Sequence, residues 1–331
     1  MIAKLARILG AAGLAAALAA CGGGAQSAAP AGAAGEPSRV TLRVGDQKAG
    51  SQVLLRAAGE LDGLPYEITW AQFTSGPPLL EAVNAGGVDI GGVGNTPPIF
   101  AAAARSKIAV VAADRQSVHG QAVVVPPGSP ITAPAQLKGK RIAVAKGSSA
   151  HYHLLAVLKK ENLSFDDITV NYLQPADALA AFSSGRLDAW AIWDPYTSQA
   201  RLSNQAKLLL DGDGYVNGYN FQVAGQEALA DSGKAAAIRD YIARLQRAKI
   251  WANTHQKEWA RVWSQETGLP GEVTLAAAAN RTTTPVQIDD ALVASEQEMA
   301  DAFSAEGLLP GRITFADFAD RRFNDLVKKD T

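Results

Sequence analysis

The sequence runs to 331 residues, 47% apolar and 19% charged, which suits a globular chain long enough for one large domain or two of ordinary size. Its 31 Lys and Arg stand against 32 Asp and Glu, a formal net charge of -1. No bulk field therefore draws the protein to nucleic acid or to anionic lipid, and neither is an expected partner on charge grounds.

The chain begins with a targeting pattern. Lys4 and Arg7 form a short basic region, Ile8 to Ala17 an apolar stretch, and Leu18-Ala19-Ala20-Cys21 a small-residue site that ends on the chain's single cysteine. That tetrapeptide resembles the processing motif of bacterial lipoprotein signal peptides. The resemblance implies removal of residues 1–20 and lipidation of Cys21, which accounts for a lone thiol in an exported protein. The apolar stretch is short for a spanning helix, which needs about 20 residues. Gly22 to Pro37 is rich in Gly, Ala, Ser and Pro, and residues 21–37 read as a flexible tether with a span of roughly 20 to 25 Å.

From Val40 onward strands alternate with helices. Val40 to Val44, Tyr66 to Trp70, Val88 to Val93 and Ile108 to Ala112 have strand character, and helices are predicted over Gln52 to Leu61, Leu79 to Val83 and Ile99 to Ala104. A second series follows. Strands are expected at Ile142 to Ala145, Asp167 to Leu173, Leu187 to Ile192 and Lys207 to Leu210, with helices starting at His151, Pro175 and Pro195. Asn220 to Ala224 reads as a return crossing, and after it only helices are predicted, the last over Phe315 to Val327. This is an α/β chain with largely parallel sheets. The order places one lobe at 38–124 and 223–331 and a second, inserted lobe at 125–222.

The stretch from Arg141 to Tyr196 carries the chemistry. A buried strand runs into Lys146-Gly147-Ser148-Ser149-Ala150-His151 and then into a helix. Such a start offers backbone N–H groups, the positive end of a macrodipole and two hydroxyls, which suits an oxyanion. A second junction, Trp193-Asp194-Pro195-Tyr196, places Asp194 as an N-cap and Pro195 as the first helical residue. An Asp there fills the helix end with its own charge. It reads as a plain structural cap, as an acceptor for a ligand's polar tail or ammonium, or as a latch between lobes. Gly50-Ser51, Ser75-Gly76-Pro77-Pro78 and Asn95-Thr96-Pro97-Pro98 repeat the helix-start pattern in the first lobe. Each alone is an ordinary cap, but several at the carboxyl edge of a sheet mark a ligand site.

Other chemistries find little support. His151 and His153 are two apart on one helix and do not share a face, Asp211-Gly212-Asp213-Gly214 breaks the calcium-loop pattern at Tyr215, and Gly92-Val93-Gly94 is a broken dinucleotide fingerprint. No nucleophile elbow or Walker lysine is present, so neither cofactor, metal nor catalysis is expected.

The ordered series Gln47-Lys48-Ala49-Gly50, Phe73 to Pro77, Leu80-Glu81-Ala82, Gly94 to Ala101, Lys146 to His151 and Asp188 to Tyr196 resembles the periplasmic aliphatic-sulfonate-binding proteins of ABC importers. Arg281-Thr282-Thr283-Thr284-Pro285 adds a weaker likeness. The resemblance implies a two-lobed type II binding fold with the ligand cleft between lobes, and a monomer that hands its ligand to a permease and its ATPase. It implies a ligand border made by Gln47, Ser75, Gly76, Asn95, Thr96, Ser148, Ser149, His151 and Asp194, with Trp193 and Tyr196 lining the organic part. Asn95 departs from the Asp expected in many sulfonate relatives. A sulfonate is a tetrahedral monoanion that needs donors and no acidic acceptor, and a pocket with little fixed positive charge suffices. Taurine, another small oxyanion such as nitrate, and an enzyme like the pyrimidine-synthase relatives of this fold are the alternatives.

Overall fold

The computed structural model describes residues 39–48 and 50–327. The segments expected to be a signal peptide and a tether, with Cys21, lie outside them. The first series is β1 (Thr41–Gln47), α1 (Ser51–Ala57), β2 (Glu67–Phe73), α2 (Gly76–Asn84), β3 (Ile90–Gly94), α3 (Thr96–Ala103) and β4 (Ile108–Gln116). The second is β5 (Gln121–Val125), β6 (Arg141–Val144), α4 (Ser149–Lys160), β7 (Thr169–Tyr172), α5 (Pro175–Ser183), β8 (Ala189–Trp193), α6 (Tyr196–Ser203) and β9 (Lys207–Asp211). The chain closes with β10 (Tyr219–Gly225), α7 (Gln226–Ala230), α8 (Ser232–Thr254), α9 (Gln256–Thr267), α10 (Gly271–Ala279), β11 (Thr283–Val286) and α11 (Asp290–Ala305).

Two sheets result, ordered β11-β4-β10-β3-β1-β2 and β7-β6-β8-β5-β9. In the first, β2, β1 and β3 lie side by side and parallel, as do β7, β6 and β8 in the second, and a strand from the crossing region pairs antiparallel beyond them in each. In the first sheet that strand is β10, which returns from the second series. In the second it is β5, which has just left the first. The sequence reading put residues 121–124 in the first lobe and 219–222 in the second; the pairing puts each set in the opposite sheet. Alternation alone could not show this, because both strands are short apolar runs that suit either sheet.

The two crossings lie against each other. Gln116 N–H donates to the Gly218 carbonyl at 2.9 Å, and Gly218 has φ +75 at a point where a Cβ would collide with the Gln116 carbonyl, a position that favours glycine. Apolar clusters cover both faces of each sheet. Val44, Ile90 and Ala224 pack under Ile238, Tyr241 and Leu245 of α8, while Val93, Val110 and Phe221 pack on the other face with Leu79, Ile99 and Phe303. In the second lobe Val123, Val144 and Ala191 meet Leu154 and Leu158, and Trp190 anchors the opposite face with Phe182.

Three local expectations change. α1 is shorter than predicted. The final segment is not one helix: Phe315–Phe318 and Asn324–Leu326 are separate 3-10 turns, and between them Asp320 N–H donates to the Val110 carbonyl at 2.9 Å, tying the chain back to the first sheet. β11 lies among the helices, and its Pro285 is tolerated because β11 is an edge strand.

Candidate functional site

The carboxyl ends of β1 and β3, the crossing strands and the starts of α2, α3 and α4 face a cleft that encloses ≈ 1320 Å³, counting the solvent at its mouth. Of the residues expected at a site, Gln47, Gly76, Ser148, Ser149, Trp193 and Asp194 line it. Ser75, Asn95, Thr96, His151 and Tyr196 do not, and each has other work.

The helix starts are unequal. At α1 the amino end is already filled: the buried Asp46 carboxylate accepts from Ser51 N–H at 2.8 Å, Gln52 N–H at 2.9 Å and Ser51 Oγ at 3.1 Å. Burial pushes the Asp46 carboxyl above its ordinary range while these bonds pull it down. An anion has no place there. At α2 and α3 the second and third positions are prolines, which lack N–H groups, so each first turn keeps little more than the N–H of Gly76 or Thr96. α4 is richer. Ser148 caps it, accepting from His151 N–H at 3.3 Å and donating to the Ala145 carbonyl at 2.7 Å, which leaves the first-turn N–H groups of Ser149 and Ala150 without an intrahelical partner. The Ser149 hydroxyl meets Gly94 of the other lobe so closely that a side chain at Gly94 would collide with it.

At α6 the structure moves the helix start. Pro195 is the N-cap and Tyr196 the first helical residue, so Asp194 stands one residue further out than predicted. Its Oδ1 still accepts from Ser198 N–H at 2.8 Å, and its Oδ2 accepts from Asn280 Nδ2 at 2.8 Å. Tyr196 sits behind, against Trp190, with the Lys48 ammonium 5.5 Å over its ring.

Ser75 and Asn95 bond away from the cleft. Ser75 Oγ and Thr74 Oγ1 donate to Gln174 Oε1 of the second lobe at 2.8 and 3.0 Å. Asn95 Nδ2 donates to Asn217 Oδ1 at 2.8 Å, and Asn217 donates on to the buried Glu296 at 2.8 Å. Thr96 is buried beside Met299. His151 lies among Phe100, Phe165, Tyr172 and Phe303 and accepts from Gly147 N–H at Nδ1, 3.2 Å away. Burial, with repulsion from Lys146, pulls it down to about 3. His153 faces elsewhere, with Nε2 3.0 Å from the Asp211 carbonyl.

The cleft also holds charges that the sequence reading did not place there, and its expectation of little fixed positive charge is corrected. Lys249 of α8 pairs with Asp114 of β4, and the Arg281 guanidinium lies 5.4 Å over the Trp263 ring. Both residues line the cleft wall with Asp46 and Asp114. Burial pulls Arg281 below its ordinary range, against the opposing pull of Asp194, Asp46 and Asp114. Among the described residues, Asp114 Oδ1, Gln121 Oε1, Gln222 Oε1 and Trp259 Nε1 are buried on this wall without a hydrogen-bond partner. Nothing local marks Lys249 or Arg281 in the sequence beyond the weaker likeness at Arg281.

Residues 72–258 match the family described as NMT1/THI5 like. A protein of Escherichia coli strain K12 named for binding aliphatic sulfonates is 36% identical over 274 residues, 82% of this chain and 85% of that protein. One of the same name from Bacillus subtilis strain 168 is 30% identical over 281 residues, 82% of this chain and 83% of its own length. Among solved structures, the alkanesulfonate-binding protein of Xanthomonas axonopodis pv. citri bound to MOPS superposes with TM-score 0.81 at 36% identity, covering 86% of this chain and all of that one.

Proposed function

The chain belongs to the aliphatic-sulfonate-binding proteins within the NMT1/THI5-like family, and from that premise we propose that it captures a small organic sulfonate between its lobes for import. It has the two-lobed type II fold of those relatives. The observation that carries the reading is the start of α4. There Ser149 Oγ and the first-turn N–H groups face Gly94 and Gly76 across the cleft, while carboxylates fill the starts of α1 and α6. A sulfonate has three acceptor oxygens and no proton to give, so it suits a seat made of donors. Three to five hydrogen bonds to the charged group, each worth roughly 1.5 to 3 kcal/mol, offset desolvation and ordering and leave about -8 kcal/mol for a micromolar complex.

In this reading Gln47, Gly76, Ser148 and Ser149 border the head group, and Trp193 the organic part. Ser75, Asn95, Thr96 and His151 hold the lobes and loops that form the seat. A permease with its ATPase is the partner, and a lipid on Cys21 holds the protein at the membrane through the tether. Titration calorimetry with ethanesulfonate, taurine, sulfate and nitrate tests the ligand class: a sulfonate is expected to bind most tightly, and tighter binding of nitrate overturns the assignment. Metabolic labelling with a radioactive fatty acid tests the anchor, with Cys21→Ala expected to lose the label.

A further inference from the structure

The apolar floor of the first lobe turns polar where it enters the cleft. On the sheet face that packs under α8, Val44, Ile90 and Ala224 give way along the strands to Asp46, Gly92, Gln222, Asn220 and Asp114. Gln222 stands in register between Gly92 and Ala112, and Asn220 between Gly94 and Asp114. Over this floor α8 and the chain after α10 place Lys249 and Arg281.

Two features of this wall point to what it receives. The first is the set of acceptors without partners. Asp114 is 5% exposed and Gln222 6%, yet Asp114 Oδ1 and Gln222 Oε1 accept no hydrogen bond, and neither does Gln121 Oε1, which lines the same cleft from β5 of the other lobe. A buried acceptor left unmet costs about 1 to 3 kcal/mol, so a cluster aimed into a cleft calls for a group that donates several hydrogen bonds. Asp114 weighs most, because a carboxylate can only accept. The second is the balance of formal charge. Asp46, Asp114 and Asp194 face Lys48, Lys249 and Arg281, so the cleft wall carries no net charge, which suits a net-neutral zwitterion. The α4 end offers donors instead of acceptors.

Resting on the sulfonate reading, we propose that this wall is a second subsite, in which Asp114, Gln222 and Gln121 receive a protonated amine, and that the preferred ligands are zwitterionic aminoalkanesulfonates. Unmet acceptors at one end and helix-start donors at the other then match the ligand at both ends. Gly94, which touches Ser149, and Asp114 are two strands apart in register, roughly 10 Å at ~4.8 Å per strand. Hydrogen bonds of about 3 Å at each end leave room for a spacer of about two or three carbons. Asp194 is not the amine's partner, because its two oxygens are engaged by Ser198 N–H and Asn280.

Calorimetry on the folded chain with 3-aminopropanesulfonate and propanesulfonate tests the subsite. The amine is expected to bind about tenfold more tightly, and Asp114→Asn to remove that advantage while propanesulfonate affinity stays within about twofold. Because Asp114 also holds Lys249, Gln222→Met provides a second variant that leaves this pair intact, and it too is expected to cost the amine selectively. Equal or weaker binding of the amine by the wild type overturns the subsite and leaves the sulfonate reading standing, as does an equal loss for both ligands in Gln222→Met. If neither ligand binds, the sulfonate reading falls, and the subsite with it.

Discussion

Asn280, at the end of α10, donates from Nδ2 to Asp194 Oδ2 at 2.8 Å and so joins the helical layer of the first lobe to the first turn of α6 in the second. Gly120 lies against both side chains, so that a Cβ there would crowd the contact. A hydrogen bond to a carboxylate is worth about 1.5 to 3 kcal/mol. If it closes the cleft, Asn280→Ala speeds release of a bound sulfonate by about tenfold or more while the association rate changes little. Stopped-flow fluorescence from Trp193 and its neighbours measures both rates. An unchanged release rate assigns the contact to folding alone.

Ser149→Asp is expected to abolish sulfonate binding by placing a negative charge at the anion's seat. It should not unfold the protein, since a carboxylate at the first position of a helix is favourable by about 0.3 to 1 kcal/mol. Calorimetry and a thermal melt on the same sample separate the two effects. Retained affinity removes the α4 start from the site.

The alternation of strands and helices was legible because buried strands and amphipathic helices differ in period. The start of α4 was legible because Gly147-Ser148-Ser149 follows a buried strand directly. What filled the other helix ends was not. Asp46 sits on the end of β1, five residues before the Ser51 N–H that it accepts from, and no local pattern links them. Ser75 and Asn95 look like caps in sequence, but their side chains found better partners in Gln174 and Asn217, which only the two-lobed arrangement brings near. Lys249 and Arg281 reach the cleft from the C-terminal helical region, where Lys249 has no local signature and Arg281 only the weaker likeness of its stretch. Tertiary proximity decided each of these.

Glu296 is fully buried, accepts from Asn217 at one oxygen and has no partner at the other, and burial pushes it up to about 8. Between pH 4.5 and about 8 the folded state holds a proton that the unfolded chain has released. Its contribution to stability is therefore full below pH 4.5 and is lost as pH rises toward 8, at about 1.4 kcal/mol per unit. Glu296→Gln cannot lose a proton, so its advantage over the wild type should grow between pH 5 and 8 by a few kcal/mol and then level off. Urea midpoints across that range check it. A constant difference means that Glu296 is ionised throughout.

His151 and His153 act in the opposite direction. Burial holds them down to about 3 and about 4, with Lys146 adding to the shift at His151. Below pH 6.5 the unfolded chain takes up protons on both rings that the folded state refuses, so stability falls as pH falls, by about 1.4 kcal/mol per unit for each ring. Glu296 offsets one of the two, so the wild type should lose a net ~1.4 kcal/mol per unit between about pH 6 and 5, above most carboxylate titrations. Replacing one ring, as in His153→Gln, should leave that slope near zero, and adding Glu296→Gln to it should restore a loss of about the original size. Denaturant melts of the three proteins at closely spaced pH values check this. A wild type that gains about 1.4 kcal/mol per unit as pH falls, with an unchanged slope in His153→Gln, would show that the buried rings are protonated in the folded state, and the aromatic cage around His151 would then need another account.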